Sequence, residues 1–220
     1  MTLTEKIKEA TAPYQLLNHP FYQDWNQGKL SKETIKKYAG QYFFHVDCFP
    51  RYISATHSNC ERLDHRKILL ENLNEEDGMQ AKAHIDLWGQ FCKALGYDSK
   101  ELGNEEKFES IDILIATFFK FARSSYEEGL SSLYSYERQV PEIAETKIEG
   151  LKKYYDIDQK EDLAFFSVHK EADIFHRKAC ETLLNQIAIE DHEKCVQAAV
   201  ASSKALWQFL SQAHELEEVA

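Results

Sequence analysis

Three side chains that can bind a metal ion follow one another in His169-Lys-Glu-Ala-Asp173-Ile-Phe-His176. Positions i, i+4 and i+7 of an α-helix project within roughly 60° of one another, so imidazole, carboxylate and imidazole share one face. Nitrogen and oxygen ligands without sulfur suit iron or manganese better than a structural zinc. Phe165 and Phe166 precede the motif, and such apolar neighbours favour a buried metal-binding face over a solvated polar stripe.

A pair of metal ions that shares a bridging carboxylate needs further acidic or imidazole ligands from facing helices. The candidates in this chain are Glu76, His84 and Glu137. Glu137 lies among aromatic and aliphatic neighbours, where a buried carboxylate is costly unless a cation compensates it. His84 begins the apolar stretch His84-Ile-Asp-Leu-Trp88, so its ring is also expected to face the interior.

The first carboxylate ligand has two candidates, Glu76 and Asp77. Asp77 is seven residues before His84 and would align with it on an unbroken helix, whereas Glu76 is eight residues away and about 80° off. Gly78 allows a local distortion of the chain between them. We favour Glu76, with Asp77 as the alternative.

Helical periodicity extends over nearly the whole chain, and no segment shows a convincing run of the period-two alternation typical of strands. We therefore expect an all-α protein. Gly28 should end a short helix, Ser31 should cap a long one with a kink at Pro50, and Gly129 and Pro141 should separate later helices. The expected helices cover residues 3–10, 21–27, 32–59, 63–76, 80–95, 109–128, 130–139, 142–155, 159–188 and 190–216.

Length and composition limit the classes of protein. A chain of 220 residues, 43% hydrophobic, can bury a sizeable core, and we expect one domain over residues 1–220. The net charge of −11, without a basic stripe, argues against a nucleic-acid partner. No apolar run reaches the ~20 residues of a membrane span and the N-terminus lacks a signal peptide, so we expect a cytoplasmic protein. The scattered cysteines predict neither disulfides nor a thiolate zinc site; they are Cys48, Cys60, Cys92, Cys180 and Cys195.

Several sequence blocks together resemble a known family, the haem-oxygenase-like diiron oxidases, which are kin of the PqqC and TenA proteins. The resemblance runs from about Asn18 to the last helix and is strongest to the CADD-type para-aminobenzoate synthases. It implies a single haem-oxygenase-like helical bundle of about seven to nine helices. The matching blocks are Asn72-Leu-Asn-Glu-Glu-Asp-Gly78, His84 with Leu87-Trp88, Tyr136-Glu137-x-Gln-x-Pro141 and His169-x3-Asp173-x2-His176.

The resemblance implies an O2-activating oxidase of folate metabolism that is consumed in its own reaction. A tyrosine of the protein supplies the aromatic ring of para-aminobenzoate, a lysine supplies the amino group, and an external reductant supplies electrons. Tyr22, in Asn18-His19-Pro20-Phe21-Tyr22, corresponds to the ring donor and Lys147 to the amino donor, while Tyr136 corresponds to a tyrosine that relays an electron or a hydrogen atom.

The resemblance also implies a ligand set for two transition-metal ions, Fe/Fe or Mn/Fe. The spacing from Glu76 to His84 is one residue longer than the family's usual seven, so Asp77 remains an alternative. Lys147 must be neutral to act as a nucleophile, so we expect burial near the metal cations to lower its pKa. The implied ligands are Glu76, His84, Glu137, His169, Asp173 and His176.

Two other functions fit the same sequence. One is a diiron oxidase that acts repeatedly on an external small molecule. The other is a non-enzymatic protein that binds death domains through an acidic surface, an activity associated with the CADD branch. We also expect a homodimer from the fold, and no membrane partner.

Overall fold

The computed structural model describes residues 1–79, 81–98 and 100–217, with the side chains of residues 171–174 outside the description. This part of the chain forms ten α-helices and three short 3-10 helices, without a β-strand. The α-helices are α1 Leu3–Ala10, α2 Pro20–Gln27, α3 Lys32–Ser58, α4 Leu63–Glu76, α5 His84–Ala94, α6 Glu109–Ser124, α7 Tyr126–Glu137, α8 Val140–Tyr154, α9 Ala164–Leu184 and α10 His192–Glu215. The all-α class is confirmed, and the described residues contain the ten α-helices expected from periodicity, against the seven to nine that the family resemblance implied.

Several helix ends follow from local sequence signals. The Ser31 side chain accepts a hydrogen bond from the Thr34 N–H and so caps α3, as predicted. Gly28 ends α2 in the left-handed region with φ at 66°, which a residue without a Cβ adopts at little cost. These two residues turn the chain sharply between the short α2 and the long α3.

The break between α6 and α7 is not at Gly129, as predicted, but at Ser125. Ser125 is extended and its side chain accepts a hydrogen bond from the Glu128 N–H, which starts a new helix four residues earlier. Gly129 lies inside α7, where a Cβ would come within 2.5 Å of the Thr56 hydroxyl on α3. The glycine is therefore needed for close helix packing, and a helix break is not its role.

Pro141 and the expected start of α5 also need correction. Pro141 lies in the first turn of α8, where proline is tolerated because that N–H has no partner within the helix. The helix expected from residue 80 begins only at His84, because Gly78 turns the chain with φ at 73°. Glu76 and His84 consequently lie at the ends of two different helices.

The buried residues form one contiguous hydrophobic core from Leu3 to Ala213. The long helix α3 packs against α4, α5, α6 and α7, while α9 packs against α5, α7 and α8. The end of α4, the start of α5 and the inner faces of α7 and α9 thus meet at one place. Within the described residues, every helix is too short or too polar to cross a membrane.

Candidate metal centre and the adjoining chamber

Glu76, His84 and His169 come together from three different helices. One ligand atom from each lies within 4.8 Å of the others, and all three side chains are buried. Buried carboxylate and imidazole groups in such proximity are costly alone but suit a transition-metal ion. The donor atoms present here therefore fit the iron or manganese expected from the sequence.

The two histidine rings are held in defined orientations. The Nδ1 atom of His169 donates a hydrogen bond of 2.7 Å to the Phe165 carbonyl, which leaves Nε2 as the acceptor nitrogen of that ring. His84 lies beside it, with 4.4 Å between ring centroids, and its Nδ1 is 2.7 Å from Glu76 Oε2. A backbone carbonyl that fixes the tautomer of a histidine is typical of metal-binding histidines.

Glu137 is buried on α7 and shares a small cavity, here called the inner cavity, with Glu76 and His169. The Asn72 amide donates a hydrogen bond of 2.7 Å to Glu137 Oε1, and the Cys180 thiol donates one of 3.4 Å to Oε2. Both donors orient the carboxylate. The inner cavity is lined by His45, Val46, Phe49, Glu76, Tyr136, Glu137, Phe165 and His169.

His176 lies on the same buried face of α9 as His169, and each is 5% exposed. Its Nε2 is 3.0 Å from Glu75 Oε2, and the Glu75 carboxylate is half-exposed. Glu75 was not among the predicted residues. The predicted ligand Asp173 has its side chain outside the described residues, so its role stays a prediction.

The electrostatic environment distinguishes the two candidates for the first carboxylate. Burial raises the pKa of Glu76, but the hydrogen bond and charge of His84, with His169 and His176, outweigh burial and lower it below its usual value. Asp77 is exposed at the end of α4. Glu76 therefore meets the imidazoles and Asp77 does not, although metal binding by either residue stays a prediction.

A second cavity, here called the aromatic chamber, adjoins the inner cavity across Tyr136, Phe165 and His169. It is a small cavity of about 30 Å³ between α2, α3, α7, α8, α9 and α10. The three predicted catalytic residues Tyr22, Lys147 and Tyr136 all line it. The other lining residues are Leu16, Tyr42, Val140, Ile143, Ala144, Phe165, Phe166, His169, Leu206, Phe209 and Leu210.

Lys147 is buried on α8 with only 4% of its surface exposed. Burial lowers the pKa of its amino group to about 7, in the direction expected from the sequence. Its Nζ donates a hydrogen bond of 2.7 Å to the Tyr38 hydroxyl and lies 5.4 Å from the centre of the Tyr22 ring. A substantial fraction of this amine is therefore neutral near pH 7.

Tyr22 is buried on α2 beside the lysine, and burial raises the pKa of its phenol above the usual range. The Tyr38 hydroxyl interacts with that phenol as well as with Lys147. The Tyr42 ring stacks on the Tyr38 ring, and the Tyr42 hydroxyl donates a hydrogen bond of 2.7 Å to the Tyr136 hydroxyl. Tyr136 lines both cavities, so the phenols extend from the chamber to the metal-ligating side chains.

Sequence reasoning missed several residues of the site. One signal for those on α3 was present, because aromatic rings recur there at helical spacing on one face. Asn72 stands in a matching sequence block, but nothing in its neighbours predicts that it bonds Glu137. The missed residues are Tyr38, Tyr42, His45, Asn72, Glu75 and Cys180.

Buried carboxylates and imidazoles on facing helices define a metal-dependent helical-bundle protein. Residues 36–207 match the family described as iron-containing redox enzymes, within the haem-oxygenase-like proteins, and this chain belongs to that family. The resemblance found in the sequence is thereby confirmed.

Two relatives share much of the sequence. The 4-aminobenzoate synthase of Chlamydia muridarum is 40% identical over 211 residues, which cover 96% of this chain and 89% of that protein. The 4-aminobenzoate synthase of Nitrosomonas europaea is 35% identical over 227 aligned positions, gaps included, and the alignment covers 97% of this chain and 92% of that protein. 4-Aminobenzoate is para-aminobenzoate.

A solved structure supports the assignment of the fold. A domain of unknown function with a haem-oxygenase-like fold from Shewanella denitrificans OS217 superposes with a TM-score of 0.84 at 15% identity. The superposition covers 100% of this chain and 94% of that one. The haem-oxygenase-like fold predicted from the sequence is confirmed, while the homodimer and any protein partner stay predictions.

Proposed function

We propose that this protein forms para-aminobenzoate, a folate precursor, from its own Tyr22, with Lys147 as the amino donor and a dinuclear Fe/Fe or Mn/Fe centre as the site of O2 activation. The observation that carries the proposal is the enclosure of the Lys147 amino group and the Tyr22 ring in one buried chamber, 5.4 Å apart. That chamber adjoins the metal-ligating side chains through His169. The two relatives named as 4-aminobenzoate synthases support the same product.

The metal ions would be held by Glu76, His84, Glu137, His169 and His176, together with the predicted ligand Asp173. Such a centre supplies the capacity to bind O2 and to accept electrons from an external reductant. The hydrogen bonds from Asn72 and Cys180 orient the Glu137 carboxylate at the inner cavity, where it would serve as one of the ligands of such a centre.

Lys147 contributes a nucleophile that does not have to be deprotonated by another residue. Burial keeps much of the amine neutral near pH 7, and the Tyr38 hydroxyl accepts its hydrogen bond and fixes its position. A neutral amine held within a few ångströms of a ring gains from proximity, since little orientation entropy remains to be lost. Lys147 is thereby poised to form a C–N bond to a ring fragment derived from Tyr22. The transfer would also break the Cε–N bond of Lys147, so that its nitrogen stays with the product, with O2 and the external reductant as co-reactants.

Oxidation of a phenol removes an electron and a proton, so the environment of the tyrosines matters. Tyr22 and Tyr42 are buried and remain neutral phenols across the physiological range, because burial raises the pKa of each. The hydrogen bond from Tyr42 to Tyr136 connects the chamber to the inner cavity. Tyr136 can therefore relay an electron or a hydrogen atom between the metal-ligating side chains and the chamber.

The walls of the chamber favour a reaction of the protein's own groups. Leu206, Phe209 and Leu210 close it on the side of α10, and the Tyr22 ring already lines it. Such apolar walls keep bulk water away from reactive fragments. An oxidase that acts repeatedly on an external molecule would need that ring to persist through many cycles.

Isotope labelling tests the proposal directly. Protein that carries ring-13C tyrosine or 15N lysine is loaded with iron or with manganese and iron, then given reductant and O2. We expect labelled para-aminobenzoate at no more than about one molecule per chain, and a mass loss in the peptide that contains Tyr22.

Tyr22→Phe should abolish the product, whereas Tyr14→Phe, at a half-buried tyrosine outside the chamber, should not. Unlabelled product, or many products per chain with Tyr22 intact, would instead support a multiple-turnover oxidase.

A further inference from the structure

His45 is a buried histidine that the proposed reaction does not use. It lies on α3 with no exposed surface, and neither ring nitrogen has a hydrogen-bond partner among the described residues. Buried polar atoms in folded proteins are nearly always bonded, so two such atoms on one ring call for an explanation. The ring lines the inner cavity together with Glu76, Glu137 and His169.

Aromatic rings surround His45. Ring centroids lie 5.3 Å away at Tyr42, 5.4 Å at Tyr136 and 5.1 Å at Phe118, with two further rings within 6 Å. Burial lowers the pKa of the imidazole to about 3, so the ring is neutral at physiological pH. A neutral imidazole carries one N–H donor and one acceptor nitrogen, whichever tautomer it adopts.

The cavity beside this ring suits a very small ligand. Val46, Phe49 and Phe165 give it apolar walls, while Glu76, Glu137 and His169 form its metal-ligating side. A largely apolar cavity that holds a hydrogen-bond donor next to a metal centre is the arrangement by which distal pockets control O2 binding. Tyr136 also lines this cavity, but its hydroxyl already accepts a hydrogen bond from Tyr42, whereas both ring nitrogens of His45 lack a partner among the described residues. A larger organic molecule would not fit without moving the aromatic rings.

We propose that His45 is a positioning residue that donates a hydrogen bond to dioxygen held in the inner cavity. The inference rests on the proposed function, since it requires an iron centre on the Glu76 side of the cavity. His45 lies on α3, whereas the imidazoles of the predicted metal ligands lie on α5 and α9. In this inference its role is to hold the ligand, and it is not assigned as a metal ligand.

Nitric oxide is a suitable probe, because it binds ferrous iron in place of O2 and can be followed by electron paramagnetic resonance. Iron-loaded, reduced protein is compared with His45→Phe and His45→Gln, and the rate of nitric oxide dissociation is measured without O2. Loss of one hydrogen bond should make dissociation about tenfold faster in His45→Phe. His45→Gln restores a donor and should stay within about threefold of the native rate.

Tyr52→Phe is the matched control, since it removes the buried hydroxyl of a residue whose ring also packs against His45 but does not line the inner cavity. Its nitric oxide dissociation should equal the native rate. His45→Leu replaces His45→Phe if the larger ring prevents folding.

Two results would overturn the inference and leave the proposed function intact. One is an unchanged dissociation rate in His45→Phe or His45→Leu at equal iron content. The other is a loss of iron from these variants, which would make His45 a metal ligand. A native protein that binds no iron at all would instead defeat the proposed function, and the inference with it.

Discussion

The Nζ atom of Lys147 donates a hydrogen bond of 2.7 Å to the hydroxyl of Tyr38, inside a chamber where burial lowers the pKa of the amine to about 7. In the unfolded chain the same group titrates near its ordinary value of 10.5. Between these two values the unfolded state binds the additional proton, so the stability of the fold rises with pH across that window. The buried lysine thus lowers the stability of the fold most at pH 7 and below, and this cost disappears only above pH 10.5.

Replacing Lys147 with methionine should therefore stabilise the fold. The difference between the two pKa values corresponds to a gain on the order of 4 kcal/mol at pH 7 or below. The gain should shrink as the pH rises through the window and vanish above pH 10.5. Urea unfolding at pH 6.5 and at pH 9.5 measures it.

The exposed Lys152 on the same helix offers the control, because Lys152→Met should change the unfolding free energy little at either pH. An equal stabilisation of Lys147→Met at both pH values would show that a pH-independent gain from the apolar methionine side chain, and not desolvation of the lysine charge, sets the effect.

Product formation should also depend on pH, because it requires the neutral form of Lys147. If neutral Lys147 is the amino donor, the rate of a single turnover should rise about tenfold between pH 6 and pH 8 and level off above, because the neutral fraction of a group with a pKa of about 7 does so. Rapid-quench measurement of para-aminobenzoate in metal-loaded protein gives the profile. A rate that falls over this range would exclude the neutral amine as the reacting species.

Asn72 should matter for metal binding although it is not a ligand. Its amide donates to Glu137 Oε1, and loss of such an orienting bond typically lowers metal affinity 10- to 100-fold. We expect Asn72→Ala to bind iron at least tenfold more weakly, measured by competition with a chelator. Asn74→Ala, on the same helix at a half-buried position, is the control. Equal iron affinity in the two variants would show that Asn72 does not support metal binding.

The fold was predictable because helical periodicity is a local property of the sequence. Helix boundaries were predicted wrongly where tertiary contacts determine the residue type. Gly129 does not end a helix, because its missing Cβ makes room for Thr56 of α3. Ser125, a common N-cap residue, supplies the capping bond that starts α7, and this local signal is a better guide to the helix boundary than the glycine.

The parts of the candidate site that could be predicted are those whose residues recur at helical spacing along one element. The 169 and 176 positions share a buried face, as their separation of seven predicts. Tyr38, Tyr42 and His45 also share one face, but buried aromatic residues are so common in cores that periodicity alone gave no reason to choose them. Only the three-dimensional packing of α3 against α5 and α7 reveals that this stripe borders both cavities.

The first carboxylate ligand can be settled by two neighbouring substitutions. Glu76→Gln should lose most of its iron, since it removes the charge that lies 2.7 Å from His84 and near His169. Asp77→Asn should keep its full metal content, because that side chain is exposed. Each substitution replaces a carboxylate by an uncharged amide of nearly the same shape, so the fold should be preserved in both variants. A difference in iron content per chain then shows which carboxylate binds the metal. Retention of iron in Glu76→Gln together with its loss in Asp77→Asn would show that Asp77 is the metal ligand. The end of α4 would then have to rotate so that the Asp77 side chain faces the interior.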